Sequence, residues 1–201
     1  MAATAGYRIE WSSELGTLVA VEPRLAEVAA HAAELAAGYN EPQNARLMGH
    51  EAPFSAEEVV EHYTSMLDEA ARPFLLFLGD ALVGDADLRG IRDGAAEFAF
   101  MIAARDRQGR GLGTRLALMI HAFAFTTLEL DRIYASIAPV NLASRRVFEK
   151  LGYRVDMGAE ARSYADEPGD VTMLIRRAEF LIANPGLLDQ LRIERLTAQR
   201  A

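Results

Sequence analysis

Apolar positions recur along the chain at two periods, and the changes of period mark its elements. "TLVAV" (17–21) is a short apolar run that predicts a buried strand. The alanine-rich "PRLAEVAAHAAELAAGY" that follows has helical spacing, with Pro23 near its start, and "NEPQNAR" breaks the pattern. "FSAEEVVEHYTSML" predicts a helix opened by a capping box, with Ser55 as cap and Glu58 three positions on. "PFLLFLGDALVGDADLR" predicts a hairpin, with strands over about 74–78 and 82–88 joined at Gly79-Asp80. In "AAEFAFMIAA" (95–104) the period is two. Phe98, Phe100 and Ile102 share one face of this strand, and Glu97, Ala99, Met101 and Ala103 share the other.

Beyond a glycine-rich loop, Leu112, Leu116, Met119, Ile120 and Phe123 recur at helical spacing, predicting a helix to about Leu128. "RIYASIA" predicts a strand, "NLASRRVFEKLGY" a helix closed by Gly152, and "VTMLI" (171–175) a last strand. The segment from "RRAEFLIANPG" to the end predicts helix interrupted near Pro185. No internal repeat, linker or low-complexity stretch is present. Hairpin-like strands followed by strands alternating with helices predict an α/β (α+β) fold, a mixed sheet with helices on both faces.

Composition narrows the function. The 201 residues suit one substantial core. A net charge of −8 argues against a protein that coats nucleic acid and favours cationic substrates at long range. The chain has no cysteine, which removes disulfides, thiolate metal sites and a cysteine nucleophile. His31, His50, His62 and His121 fall at no metal-ligand spacing, so no metal is expected. No apolar run is long enough to span a membrane, and "MAATAGYRIEW" lacks the pattern of a signal peptide. A cytoplasmic protein is the expectation.

The loop "RDRQGRGLGTRLALMI" carries the chemistry. A strand, a loop rich in Gly and Arg and a helix start make an anion-binding design, because first-turn N–H groups lack intrahelical partners. Gly109, Gly111 and Gly113 let phosphate oxygens approach the backbone, and Arg107 and Arg110 add charge. A Walker loop is absent. The dinucleotide fingerprint fails because its third glycine falls at Leu116, although Asp131 lies where a ribose-binding acid would. A tight strand-to-helix turn without ligand is the alternative.

"QGRGLG" (108–113) resembles the Q/R-x-x-G-x-G/A pyrophosphate loop of the GNAT superfamily of acyl-CoA-dependent N-acetyltransferases. "NLASRRVFEKLGY" (141–153) resembles that family's second signature at the expected distance, and "FLLFLGDALVGDADL" its central strands. Within the family, "N-x-x-S-x-x-x-x-E-K-L-G-Y" and "GYNEPQNARLMGH" look most like the ribosomal-protein N-terminal acetyltransferase branch. The resemblance implies a mostly antiparallel GNAT sheet in residues 1–177. Residues 178–201 form a helical extension that packs on the domain or makes a homodimer contact.

It also implies acetyl-CoA as cosubstrate. The expected contacts are Ile102, Ala103 and Ala104 on the strand backbone, then Gln108, Gly109, Arg110, Gly111, Leu112, Gly113 and Thr114. Asn141 caps its helix or touches the pantetheine arm. The acceptor is an amine, of a peptide N-terminus or of a small molecule. The amine must lose a proton, and the departing thiolate benefits from a donor. Glu97 is the expected general base, with Asp85 and Asp87 as competitors for that role or for holding a cationic substrate. Many GNAT enzymes carry a tyrosine acid seven residues after the asparagine. Phe148 stands there in this chain, so Ser144 is the expected partner of the sulfur. A non-catalytic acyl-CoA-binding protein or sensor is the alternative function.

Overall fold

The computed structural model describes residues 6–48, 52–103 and 111–197. Strands β1 (Tyr7–Ser13) and β2 (Gly16–Val21) form a hairpin. Helices α1 (Leu25–Tyr39), α2 (Pro42–Met48) and α3 (Ala56–Asp68) follow. Strands β3 (Arg72–Leu78), β4 (Ala81–Arg92) and β5 (Ala95–Ile102) make a meander, and α4 (Leu112–Thr126) leads to β6 (Arg132–Ile137). Then come α5 (Leu142–Leu151), β7 (Arg154–Val155), α6 (Ala159–Arg162), β8 (Val171–Arg176), α7 (Arg177–Ala183) and β9 (Leu191–Arg195). The strands form one sheet in the order β7-β8-β6-β5-β4-β3-β2-β1-β9, antiparallel at each step except β5 to β6.

Period-two alternation sorts the side chains into two layers. Phe74 and Leu76 of β3, Ala86 and Leu88 of β4, and Phe98 and Ile102 of β5 pack with α4, α5 and α7 on one face. Leu75 of β3 and Met101 of β5 pack on the other face with Val28 and Leu35 of α1 and Val59 and Tyr63 of α3. The expected assignment of Phe98, Phe100 and Ile102 to one side of β5 holds.

Several expected elements hold and others differ. The Ser55–Glu58 capping box opens α3, and Gly152 closes α5 in the left-handed conformation. "NEPQNAR" is not a break. Pro42 takes the first helical position of α2, and the Glu41 carboxylate accepts from the N–H groups of Gln43 and Asn44. The second strand of the hairpin extends to Arg92, because Asp93 and Gly94, both at positive φ, turn it directly into β5.

Among the described residues, the C-terminal segment is α-helical only over Arg177–Ala183. After a 3₁₀ turn at Leu188–Gln190 it enters the sheet as β9, pairing Ile193 with Ile9 of β1. Tyr7 and Trp11, to which sequence alone assigns no role, pack on the core. Tyr7 lies 5.0 Å from Phe123 between ring centroids.

One backbone irregularity shapes the centre. Val83 is an extra residue in β4, since Leu76 pairs with Gly84 and Phe77 with Leu82. Gly84 has φ +155, and a Cβ there would stand 1.9 Å from the carbonyl oxygen of Met101. Only glycine lets β4 and β5 lie this close, directly before the acidic stretch of β4.

Candidate active site

The site begins where the sheet parts. The parallel ladder between β5 and β6 runs Ala95 with Arg132, Ala96 with Ile133 and Glu97 with Tyr134, and ends there. Both strands continue, to Ile102 and Ile137. Ala103 donates its N–H to the Val83 carbonyl at 2.8 Å, on the β4 side. Strict alternation therefore turns the backbone N–H and C=O of Phe100 toward β6, past the end of that ladder. A cleft of about 630 Å³ opens at the parting. Phe98 to Met101 and Ser136 to Ala138 form its edges, the start of α5 one wall, and residues of α1, α2 and α3 the opposite wall.

The floor is the polar face of β4. Asp85, Asp87 and Arg89 alternate toward the α1 and α3 side and line the cleft. Asp85 is buried, and its Oδ2 accepts hydrogen bonds from the hydroxyls of Tyr39 and Tyr63, the latter at 2.9 Å. Burial raises its pKa from 3.8 to about 6, with the two tyrosines opposing the shift. Among the described residues, Asp87 Oδ1 is a buried side-chain oxygen without a hydrogen-bond partner. Its nearest cation is Arg89 Nε, 3.9 Å away. Burial raises Asp87 to about 7; Arg89 opposes this, and Asp85, Glu97 and Asp166 add to it.

Glu97 sits differently. It lies opposite Arg89 in the β4–β5 register, and the guanidinium binds both of its oxygens at 3.0 Å. Its carboxylate is buried under this fork, and it does not number among the cleft-lining residues. Burial raises its pKa and Arg89 opposes the rise. The same guanidinium reaches Asp166 at 2.9 Å, tying the loop before β8 to the sheet. That loop brings Asp166, Glu167 and Asp170 to the cleft, and Asp170 accepts from the Ser136 hydroxyl at 2.7 Å.

On the opposite wall, Ser144 lines the cleft from the first turn of α5. Asn141 caps this helix, its Oδ1 accepting the Ser144 N–H at 3.0 Å. Phe148 lies one turn on, buried edge-on against Phe98, Phe100 and Tyr153.

Of the expected cosubstrate contacts, Ala104, Gln108, Gly109 and Arg110 lie outside the described residues. Gly111 caps α4 at φ +80, and the N–H groups of Leu112, Gly113 and Thr114 form the first turn of a 15-residue helix, where no partner inside the helix is available to them. The Leu112 side chain is core, as is that of Ile102. Gly113 also serves packing, since a Cβ there would stand 3.1 Å from Cε2 of Phe100. The helix N-terminus, and the Phe100 backbone at the edge of the cleft, suit an extended ligand with an anionic end and amide groups. Among the described residues no group of His, Asp and Glu is arranged to hold a metal.

Sequence alone does not single out Tyr39, Tyr63, Arg89 or Asp166. A signal for Arg89 is present, because "DADLR" alternates polar and apolar and puts Arg89 on the face of Asp85 and Asp87.

Comparisons with known proteins bear on the family and the fold. A probable N-acetyltransferase, YjcK of Bacillus subtilis (strain 168), is 38% identical over 76 residues, 37% of this chain. The match spans 42% of that protein, less than half its length. Among solved structures, Mycobacterium smegmatis RimJ in complex with CoA-disulfide superposes with a TM-score of 0.62 at 19% identity, covering 92% of this chain and 96% of that one. The aminoglycoside acetyltransferase AAC(6')-Ib in complex with ribostamycin and coenzyme A gives 0.68 at 21% identity, covering 81% and 95%. These likenesses show the fold. The family model for the acetyltransferase (GNAT) domain matches residues 24–154, from the cap of α1 through the acidic strand, the parted sheet and α5, and this chain belongs to the GNAT acetyltransferase family.

Proposed function

We propose that the protein transfers an acetyl group from acetyl-CoA to a primary amine, of a small molecule or a peptide N-terminus, by direct attack with Asp87 as general base. The carrying observation is the buried Asp87 oxygen, without a hydrogen-bond partner, in the floor of the cleft. Glu97, the first choice on sequence, supports this assignment from behind. It occupies the Arg89 guanidinium, which otherwise has Asp87 within reach.

The bound thioester supplies an activated acetyl carbon. The rest falls to the chain's own groups. Backbone N–H groups at the start of α4 hold the pyrophosphate, together with Gln108, Gly109 and Arg110, and the parted edge of β5 pairs with the pantetheine amides. Asp87 takes the proton that the acceptor nitrogen sheds as its bond to the acetyl carbon forms. A base raised to about 7 is well matched to that task at neutral pH. Ser144, on the facing wall, meets the sulfur as the C–S bond breaks.

An amine acceptor fits a cleft lined by Asp85, Asp87, Asp166, Glu167 and Asp170. Solved relatives of the same fold include AAC(6')-Ib with aminoglycosides and a chimera of spermidine N-acetyltransferase SpeG. The test is a thiol-release assay with acetyl-CoA and a panel of amines, run on wild type and Asp87→Asn. The proposal expects turnover with at least one amine and a loss of roughly 10²–10⁴-fold in the variant, with CoA still raising its melting temperature. Undiminished turnover in Asp87→Asn would overturn the base assignment. Melting unaffected by CoA would overturn the cosubstrate.

A further inference from the structure

Asp85 and Asp87 stand two positions apart on one face of β4, about 7 Å along the strand. The fold prepares them in opposite ways. Two tyrosine hydroxyls converge on one oxygen of Asp85, whereas Asp87 has a buried oxygen with no partner. Tyr39 is the last residue of α1, and Tyr63 lies in the middle of α3. Both helices thus reach across the sheet face to hold one carboxylate and leave the next one bare. Donors converging on a single carboxylate oxygen favour its charged form.

The other groups around Asp87 act in both directions: Arg89 lowers its pKa, and Glu97 and Asp166 raise it. Arg89 on β4 is divided among Asp87, Glu97 of β5 and Asp166 of the loop before β8. Arg46 of α2 and His62 of α3 line the same cleft, as do Glu167 and Asp170. Tyr39 and Tyr63 face Asp87 as neutral phenols, since burial raises both well above their ordinary range. Asp85 is the negative neighbour on the same strand face as Asp87, first among the carboxylates that raise it, and two tyrosine hydroxyls rather than a cation hold it in place.

Resting on the reading of Asp87 as base, we propose that Asp85, clamped by Tyr39 and Tyr63, is a positioning residue whose fixed negative charge strengthens Asp87 as a proton acceptor. A carboxylate beside a second carboxylate holds a proton more tightly. Asp87 is thereby strong enough to draw a proton from an amine without losing its access to the cleft. A purely structural Asp85 would only peg the two helices to the sheet.

Asp85→Asn separates the two roles, because the amide oxygen can still accept both tyrosine hydroxyls while the charge is gone. The measurement is a carboxyl ¹³C NMR titration of the full chain without ligand. The Asp87 signal is identified by its absence in Asp87→Asn. The midpoint of Asp87 is expected to fall by about one to two pH units in Asp85→Asn, as for unit charges about 7 Å apart in a partly screened site. Tyr63→Phe keeps the ring and removes one donor. Asp85 then ionises less readily, and the Asp87 midpoint falls in the same direction by less. An Asp87 midpoint unmoved in both variants overturns the proposal. Full turnover in Asp87→Asn would instead overturn the base assignment and leave the coupling of the two carboxylates standing.

Discussion

Replacing Asp87 by Asn should raise stability and abolish most activity, and the stability gain should depend on pH. Asp87 titrates at about 7 in the folded chain against an ordinary 3.8, mainly through burial. Its side chain is 14% exposed, so little solvent screening reduces the effect. Between those two values the folded state holds a proton that the unfolded chain has released. The stability this group contributes is complete below pH 3.8 and is lost as pH rises through about 7. Raising a carboxyl group that far corresponds to a free energy on the order of 4 kcal/mol.

Asn carries no charge at any pH and lacks this loss. The variant should match wild type near pH 4 and exceed it by a few kcal/mol near pH 8. His121 acts in the opposite sense. Burial lowers it from 6.5 to about 4, so its contribution is lost as pH falls through that window, on the order of 3 kcal/mol. Wild type alone will therefore show a flattened profile, and the difference between the two proteins reports Asp87 together with the part of the Asp85 titration coupled to it. Urea unfolding at half-unit steps from about pH 4.5 to 8.5 measures it. A difference that stays constant across that range would refute the reasoning, because it would place the Asp87 titration outside the window.

Three further outcomes follow from the geometry. Gly84→Ala places a Cβ 1.9 Å from the Met101 carbonyl, a backbone atom that cannot swing aside, so the protein should lose more than ~4 kcal/mol or fail to fold, read by its melting temperature and soluble yield. Glu97→Gln should cost about 1–3 kcal/mol by breaking the fork to Arg89, yet keep turnover within about tenfold of wild type, far from the Asp87→Asn loss; equal losses in the two variants would return the base to Glu97. Ser144→Ala should lower turnover without changing the CoA-induced melting shift, and lower it less for a thioester with a more acidic leaving thiol. An equal small loss with both thioesters would leave Ser144 only its backbone bond to Asn141.

Elements with a regular period were legible in the sequence, and those that depend on a distant partner were not. α3 announced itself through Ser55 and Glu58, and the two faces of β5 through strict alternation, because both signals are local. β9 did not. Leu191 and Ile193 alternate with Arg192 and Glu194 over only five residues, and what makes that segment a strand is β1, at the other end of the chain. The second hairpin is not evident in the sequence although "RDGA" carries the Asp-Gly pair that a two-residue turn uses, because Arg92 and Ala95 on either side lack the apolar alternation that marks paired strands.

The site divides along the same line. Asp85, Asp87, Glu97, Ser144 and Asn141 were each identifiable as polar residues at telling positions, and all but Glu97 line the cleft. What the sequence could not show was which carboxylate is bare. Three acids on two neighbouring strands look alike until the register sets Arg89 opposite Glu97 and α1 and α3 deliver tyrosines to Asp85. Pairing satisfies two of them and leaves the third with a desolvated oxygen and no partner. An unsatisfied buried carboxylate costs stability, so its position next to the parting of β5 and β6 calls for a compensating use. The use proposed above is as a proton acceptor, because a carboxylate oxygen that no guanidinium or hydroxyl engages is open to a proton from an amine. The proposed chemistry thus rests on a subtraction made by the tertiary structure, which leaves Asp87 as the proposed base.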